Sequence, residues 1–237
     1  MTEWNIKALE EKLVASRETS DIPTQFQVLS QLGKIFQSQR EYRKALNYFR
    51  HALNLFKDIE NNGDRTIALA NLGCVYWEMA QLKKSVDLFE EALILAKKSS
   101  DNEGQFMLRT LLGISYWRKL EWGQAIFQFE QAFQVSPEYK TTLDLSRFNK
   151  SSNYEGLRGA IERGLVTLKN RTHIAWEHQD PNRILQSNFA MVPLLFFSGR
   201  KEEISILITK IVSLAQQIKR DDILKTLTKF QKLIKNN

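Results

Sequence analysis

Leu29-Ser30-Gln31-Leu32-Gly33-Lys34-Ile35-Phe36 returns forty residues later as Leu69-Ala70-Asn71-Leu72-Gly73-Cys74-Val75-Tyr76, and forty later again as Arg109-Thr110-Leu111-Leu112-Gly113-Ile114-Ser115-Tyr116. A second register follows each copy: Phe49, Phe89 and Phe129, then Ala52, Ala92 and Ala132. Leu29, Leu32, Gly33 and Phe36 fall at i, i+3, i+4 and i+7 and share one helical face. Ala45, Phe49 and Ala52 mark a second such face beyond the polar break at Gln39-Arg40-Glu41. Two amphipathic helices joined by so short a turn pack antiparallel, and neither buries its stripe alone. The spacing therefore predicts helical hairpins that stack. Small residues at Gly33, Gly73 and Gly113 and at Ala45, Ser85 and Ala125 let backbones approach, while the three phenylalanines fill the space between.

The pattern Leu-x-x-Leu-Gly-x-x-Phe/Tyr, then Ala or Ser, Phe and Ala, resembles the tetratricopeptide repeat. Its forty-residue period is similar to the variants found in kinesin light chains and bacterial peptide-sensing regulators. Departures are Arg109, where Leu29 and Leu69 stand, and Ser85 in place of a small alanine. The resemblance implies an all-α, right-handed tetratricopeptide-type α-solenoid of about eleven or twelve helices. The expected organisation is one domain over residues 1–237: a capping helix over 1–25, three clear repeats over 26–139, two diverged repeats over 140–222 and a closing helix over 223–237.

Outside the clear repeats, residues 3–19 read as one helix with Trp4, Ala8, Leu9, Leu13 and Val14 on its apolar side, and Asp21-Ile22-Pro23-Thr24 as a loop. Asn61 to Asp64 and Ser99 to Asn102 carry turn chemistry with helix-capping residues. Ser136-Pro137-Glu138 opens another helix, Asn149 to Asn153 form a polar turn, and Tyr154 to Asn170 are helical, with glycines at 156, 159 and 164 marking close helix approach. Asp180-Pro181-Asn182 starts a helix that Ser198-Gly199 stops, and residues 200–219 form the next. The closing helix buries Ile223, Leu224, Leu227, Phe230 and Ile234, and shows Lys225, Lys229, Lys232 and Lys235 to solvent.

The chain of 237 residues carries a net charge of +7. Residues 138–237 hold 17 basic against 10 acidic side chains, which accounts for the whole excess. Such asymmetry admits an acidic partner or nucleic acid at that end, although no aromatic-interleaved basic cluster accompanies it. One cysteine, Cys74, excludes an intramolecular disulfide framework and fits a reducing compartment. The start shows no signal-peptide pattern, and the longest apolar run, Phe189 to Phe197, is too short to span a membrane and contains Pro193. A cytoplasmic protein is expected.

Chemistry has few candidates. Three histidines and one cysteine offer no nucleophile with its base, and neither a phosphate loop nor a dinucleotide fingerprint is present. His173 and Glu177 share a helical face, but His178 turns partly away, so no metal site is expected. No enzyme activity and no cofactor are expected.

Binding is another matter. In the family that the chain resembles, first helices line a concave groove. The positions opposite the packing stripe then become candidate partner contacts: Lys34 and Gln37; Ile67, Asn71, Cys74, Trp77 and Glu78; Met107, Ile114, Trp117 and Arg118. Trp77 and Trp117 stand at equivalent positions, as aromatic anchors for a docked peptide or as packing between first helices. Asn71 matches one position of the family's carboxylate clamp, but the other positions do not follow. The reading is a non-catalytic scaffold or adaptor that holds a peptide or helix of another protein; a sensor of a small signalling peptide is a subclass of it. The alternative is a regulator that binds nucleic acid or an acidic partner through the basic C-terminal third.

Overall fold

The computed structural model describes residues 2–135 and 155–235. Among them are eleven α-helices and no strand, as the periodicity predicts. The expected helix start at Ser136-Pro137-Glu138 and the polar turn at Asn149 to Asn153 lie outside the described residues. Contacts group the chain into two compact units, Met1–Gly104 and Gln105–Asn237.

Unit 1 contains α1 (Thr2–Glu18), α2 (Ile22–Ser38), α3 (Tyr42–Asn54), α4 (Asn62–Glu78) and α5 (Leu82–Lys98). Consecutive helices pack on one another, α2 against α3 and α4 against α5 as hairpins. The reason for the recurring glycine is visible in both. A Cβ at Gly33 would lie 2.5 Å from the Phe49 ring, and one at Gly73 would lie 2.5 Å from Phe89. Only a residue without a side chain lets the ring of the second helix lie on the backbone of the first. Phe49 and Phe89 are fully buried there.

In α1 Leu13 and Ser16 are buried and Ile6 and Leu9 partly so; Ala8 is exposed and Val14 is 54% exposed, so both fall outside the expected apolar side. Ser16 O accepts from Gln25 Nε2 at 3.0 Å, tying the end of α1 to α2. The expected loop at Asp21 to Thr24 is instead the opening of α2. Asp21 caps it by accepting from the Thr24 N–H, and Pro23 sits in the first turn, where a missing N–H costs no bond. Asn61 caps α4 in the same manner.

Unit 2 contains α6 (Asn102–Arg118), α7 (Trp122–Val135), α8 (Glu155–Glu177), α9 (Pro181–Phe197), α10 (Lys201–Gln217) and α11 (Asp221–Lys235). Asp101 caps α6 through the Gly104 N–H, and Asp180 caps α9 through that of Arg183. The α6/α7 hairpin repeats the earlier device, with the Phe129 ring where a Cβ of Gly113 would be. Helix α8 runs past Asn170 to Glu177, and the three atoms nearest an added Cβ at Gly159 belong to Arg163 of the same helix. An aromatic cluster joins the α6/α7 hairpin to the aliphatic rest of the core. Phe129 lies 5.2 Å from Phe197 and 5.7 Å from Phe230, while Phe230 lies 5.4 Å from Phe196, which brings α7, α9 and α11 together.

Eight helix ends share one geometry. Ser20, Arg40, Ala80, Ser100, Leu120, Gln179, Gly199 and Lys219 have positive φ, and in each case the next N–H bonds a carbonyl five residues back, as Gln81 does to Tyr76 O at 2.9 Å. This is the left-handed helix stop, and glycine fills it only at position 199.

Candidate functional site

The candidate residues divide between the two units. In unit 1, α2 carries Lys34 and Gln37, and α4 carries Ile67, Asn71, Cys74, Trp77 and Glu78. Gln37 is fully buried and its Nε2 donates to Glu78 Oε1 at 2.6 Å, a bond between adjacent first helices at equivalent depth in their hairpins. Ser30 and Asn71 stand seven residues before Gln37 and Glu78, two helical turns along the same faces. Both are buried.

Three polar atoms of this seam have no hydrogen-bond partner among the described residues: Ser30 Oγ, Gln37 Oε1 and Asn71 Nδ2. An unmet buried polar group costs about 1–3 kcal/mol. The seam thus holds one donor, one acceptor and one hydroxyl with unmet hydrogen-bonding capacity just under the surface that Lys34, Ile67 and Glu78 share. Lys34, Ile67 and Glu78 are half-buried beside it, whereas Cys74 and Trp77 are buried.

In unit 2 the expected surface of α6 is closed by the fold itself. Met107, Ile114 and Trp117 are each at most 2% exposed. The Trp117 indole lies 4.6 Å from Phe189 and 5.3 Å from Phe230, so α9 and α11 cover the face that would otherwise be open. The packing partners of this tryptophan are rings of α9 and α11, which neither reading of the sequence named. The cause lies in α9. Pro193 has no N–H, which leaves the carbonyl of Phe189, four residues earlier, without its helical donor. Trp117 Nε1 donates to that oxygen at 2.9 Å.

Two arginines of α6 are also drawn inward. Arg118 is half-buried, and burial together with the charge of Arg171 pushes its pKa down to about 10. Arg109, which interrupts the leucine series, is buried; its Nη1 donates to Gln128 Oε1 at 3.4 Å, its Nε has no partner among the described residues, and burial lowers its pKa. His173 Nε2 lies 3.4 Å from Glu177 Oε1 on the exposed side of α8, and no group of three metal-ligating side chains occurs among the described residues. No described helix is long and apolar enough to cross a membrane. One feature escaped sequence reasoning: a cleft of about 860 Å³ between α7 and α11, whose walls come from helices far apart in the chain.

A tetratricopeptide repeat family model matches residues 24–98. No curated protein matches. Among solved structures, BtubC (BKLC) from P. vanneervenii is 14% identical, with a TM-score of 0.51 and 92% of each chain covered. A putative kinesin light chain with tetratricopeptide-like repeats from Podospora anserina is 16% identical, with a TM-score of 0.46, covering 84% of this chain and 98% of that one. The Rap conjugation gene regulator of plasmid pLS20, solved with the Phr* peptide, is 18% identical, with a TM-score of 0.47, covering 88% of this chain and 58% of that one. At these identities the likeness is one of fold. The repeat registers, the glycine–phenylalanine hairpins and the match over residues 24–98 agree: that segment carries tetratricopeptide repeats, and the fold is all-α of the tetratricopeptide type.

Proposed function

We propose that this chain is a non-catalytic interaction scaffold of the cytoplasm that holds a peptide segment of another protein along the seam between α2 and α4. The observation that carries the reading is the set of unpartnered buried groups there, Ser30 Oγ, Gln37 Oε1 and Asn71 Nδ2. A peptide main chain brings an N–H and a C=O per residue, which is the complement of such a seam. Lys34, Ile67 and Glu78 flank it and add charge and apolar contact. Cys74 and Trp77 are buried in the same helix, and in unit 2 Met107, Ile114 and Trp117 are buried, with Arg118 half-buried, so the reading rests on unit 1. The Rap regulator, solved with a peptide, is a protein of similar fold that binds one.

The test is capture of a partner from lysate by the parent chain and by Asn71→Leu, Lys34→Glu and Ile67→Glu. Loss of the same partner in all three, with helicity and melting unchanged, supports the seam. Undiminished capture in all three removes it. The other reading, nucleic acid at the basic end, predicts binding that weakens steeply with salt.

A further inference from the structure

We propose that the cleft between α7 and α11 is a second docking site, which takes an acidic amphipathic helix from a partner protein. It lies wholly within unit 2 and does not depend on the α2/α4 seam. Its α7 wall is Trp122, Gly123, Ile126 and Glu130, spaced i, i+1, i+4 and i+8 on one face. Its α11 wall is Thr226, Lys229 and Leu233 at i, i+3 and i+7, with Lys232 beside them. Each wall extends for about two helical turns, roughly 12 Å, so the cleft matches a short stretch of helix laid between two helices. The volume of about 860 Å³ falls in the range of ligand-binding sites.

Charge selects the occupant. Lys229 and Lys232 are exposed, and neither has an ion-pair partner among the described residues, nor does Glu130 on the opposite wall pair with them. They belong to the part of the chain that holds the entire basic excess. An incoming carboxylate meets two uncompensated cations, and a leucine-type side chain meets Ile126, Leu233 and the face of Trp122.

Two further observations show a site that the free chain leaves unfinished. The Trp122 indole packs edge-on against Phe189 at 5.7 Å, but its Nε1–H is buried and has no acceptor among the described residues. Leu120 lines the cleft just ahead of α7, with φ of 65° and 54% exposure. A leucine in left-handed backbone is disfavoured, and one so exposed shields little of the core. The helix stop explains the backbone at Leu120, since Glu121 N–H bonds Tyr116 O at 3.0 Å, but not a large apolar side chain left in solvent at that position.

The probe is a capped synthetic peptide of about three helical turns, with leucine at i, i+3, i+4 and i+7 and glutamate elsewhere. Controls are the same peptide with lysine for glutamate, and a polyglutamate without leucine. Binding to the full chain is read from the five indole N–H resonances, with that of Trp122 assigned by its loss in Trp122→Phe. The glutamate–leucine peptide is expected to move the Trp122 resonance, and both controls to leave it in place.

Lys229→Glu combined with Lys232→Glu is expected to weaken binding at least tenfold, as is Gly123→Glu, since nothing lies within 4 Å of a Cβ there to disturb the fold. Leu120→Gly is expected to weaken binding several-fold while raising resistance to urea, a pair of signs that structural damage does not produce. Lys34→Glu in unit 1 leaves binding unchanged. The proposal is overturned by an unmoved Trp122 resonance, by equal binding of either control peptide, or by parent-like affinity in the charge-reversed and Leu120→Gly variants.

Discussion

Phe89 and Phe129 hold the same place in consecutive hairpins, forty residues apart, each with its ring on the glycine of the preceding helix. Their wider surroundings differ. Phe89 meets no other ring among the described residues, whereas Phe129 lies within 6.4 Å of Trp117, Phe197 and Phe230. In unit 1, one contact is copied from hairpin to hairpin. In unit 2 the copied contact is the base on which α9 and α11 converge, and the third repeat becomes the foundation of a core that repeats nothing. A periodic sequence can thus supply one wall of an aperiodic core.

The largest expected effect tests that difference directly. Phe89→Ala removes a buried ring and should cost about 3–4 kcal/mol. Phe129→Ala also removes aromatic pairings worth about 0.5–1.5 kcal/mol each, and should cost 5 kcal/mol or more. Urea unfolding followed by far-UV circular dichroism and by tryptophan fluorescence checks both. Equal losses would mean that the cluster around Phe129 adds nothing beyond the area it buries.

Next in size is the bond from Trp117 to the Phe189 carbonyl. Trp117→Phe keeps a ring in place but leaves that oxygen without a donor, at a cost of about 2 kcal/mol. In a Pro193→Ala background the helix supplies its own N–H, and the same substitution should cost clearly less. The coupling in this double-mutant cycle is the measurement. Additive effects would show that the indole does not stand in for the missing amide.

Within unit 1, Gly73→Ala sets two principles against each other. Helix propensity favours alanine by about 1 kcal/mol, whereas forcing a methyl into a filled contact costs about 1–3 kcal/mol. The added Cβ would lie 2.5 Å from Phe89, so the net change should be destabilising by about 1 kcal/mol, and Phe89→Leu should relieve part of it. Stabilisation by Gly73→Ala would mean that the helices can part at no cost.

These comparisons also explain what could be read beforehand. The hairpins of unit 1 were legible because each position recurs, so Gly33 and Phe49 identify each other by analogy with Gly73 and Phe89. The capping roles of Asn61 and Asp101, and the helix start at Asp180, were legible because a helix start is a local event. The burial of Trp117 was not, because the residues that cover it, Phe189 and Phe230, lie 72 and 113 positions on and share no register with it. Pro193 could be seen in the sequence, but the donor that compensates for it could not. For the same reason the cleft between α7 and α11 had no signal, since its walls are joined only by the folded chain.

The smallest effect concerns helix ends, where both units obey one rule with different residues. Ala80 closes α4 at φ 59° and is exposed, while Gly199 closes α9 at φ 71°. Left-handed backbone costs an L-residue roughly 1–2 kcal/mol, and glycine avoids this at an entropic cost of about 0.5–1 kcal/mol in the unfolded chain. Ala80→Gly should therefore stabilise by about 0.5 kcal/mol, and Gly199→Ala should destabilise by a similar or slightly larger amount, both read as shifts of the urea midpoint at constant slope. Opposite signs are the decisive outcome. Were both substitutions to destabilise, the ends would be held by side-chain packing at Ala80 rather than by the turn, and the common geometry of the eight ends would not imply a common energy.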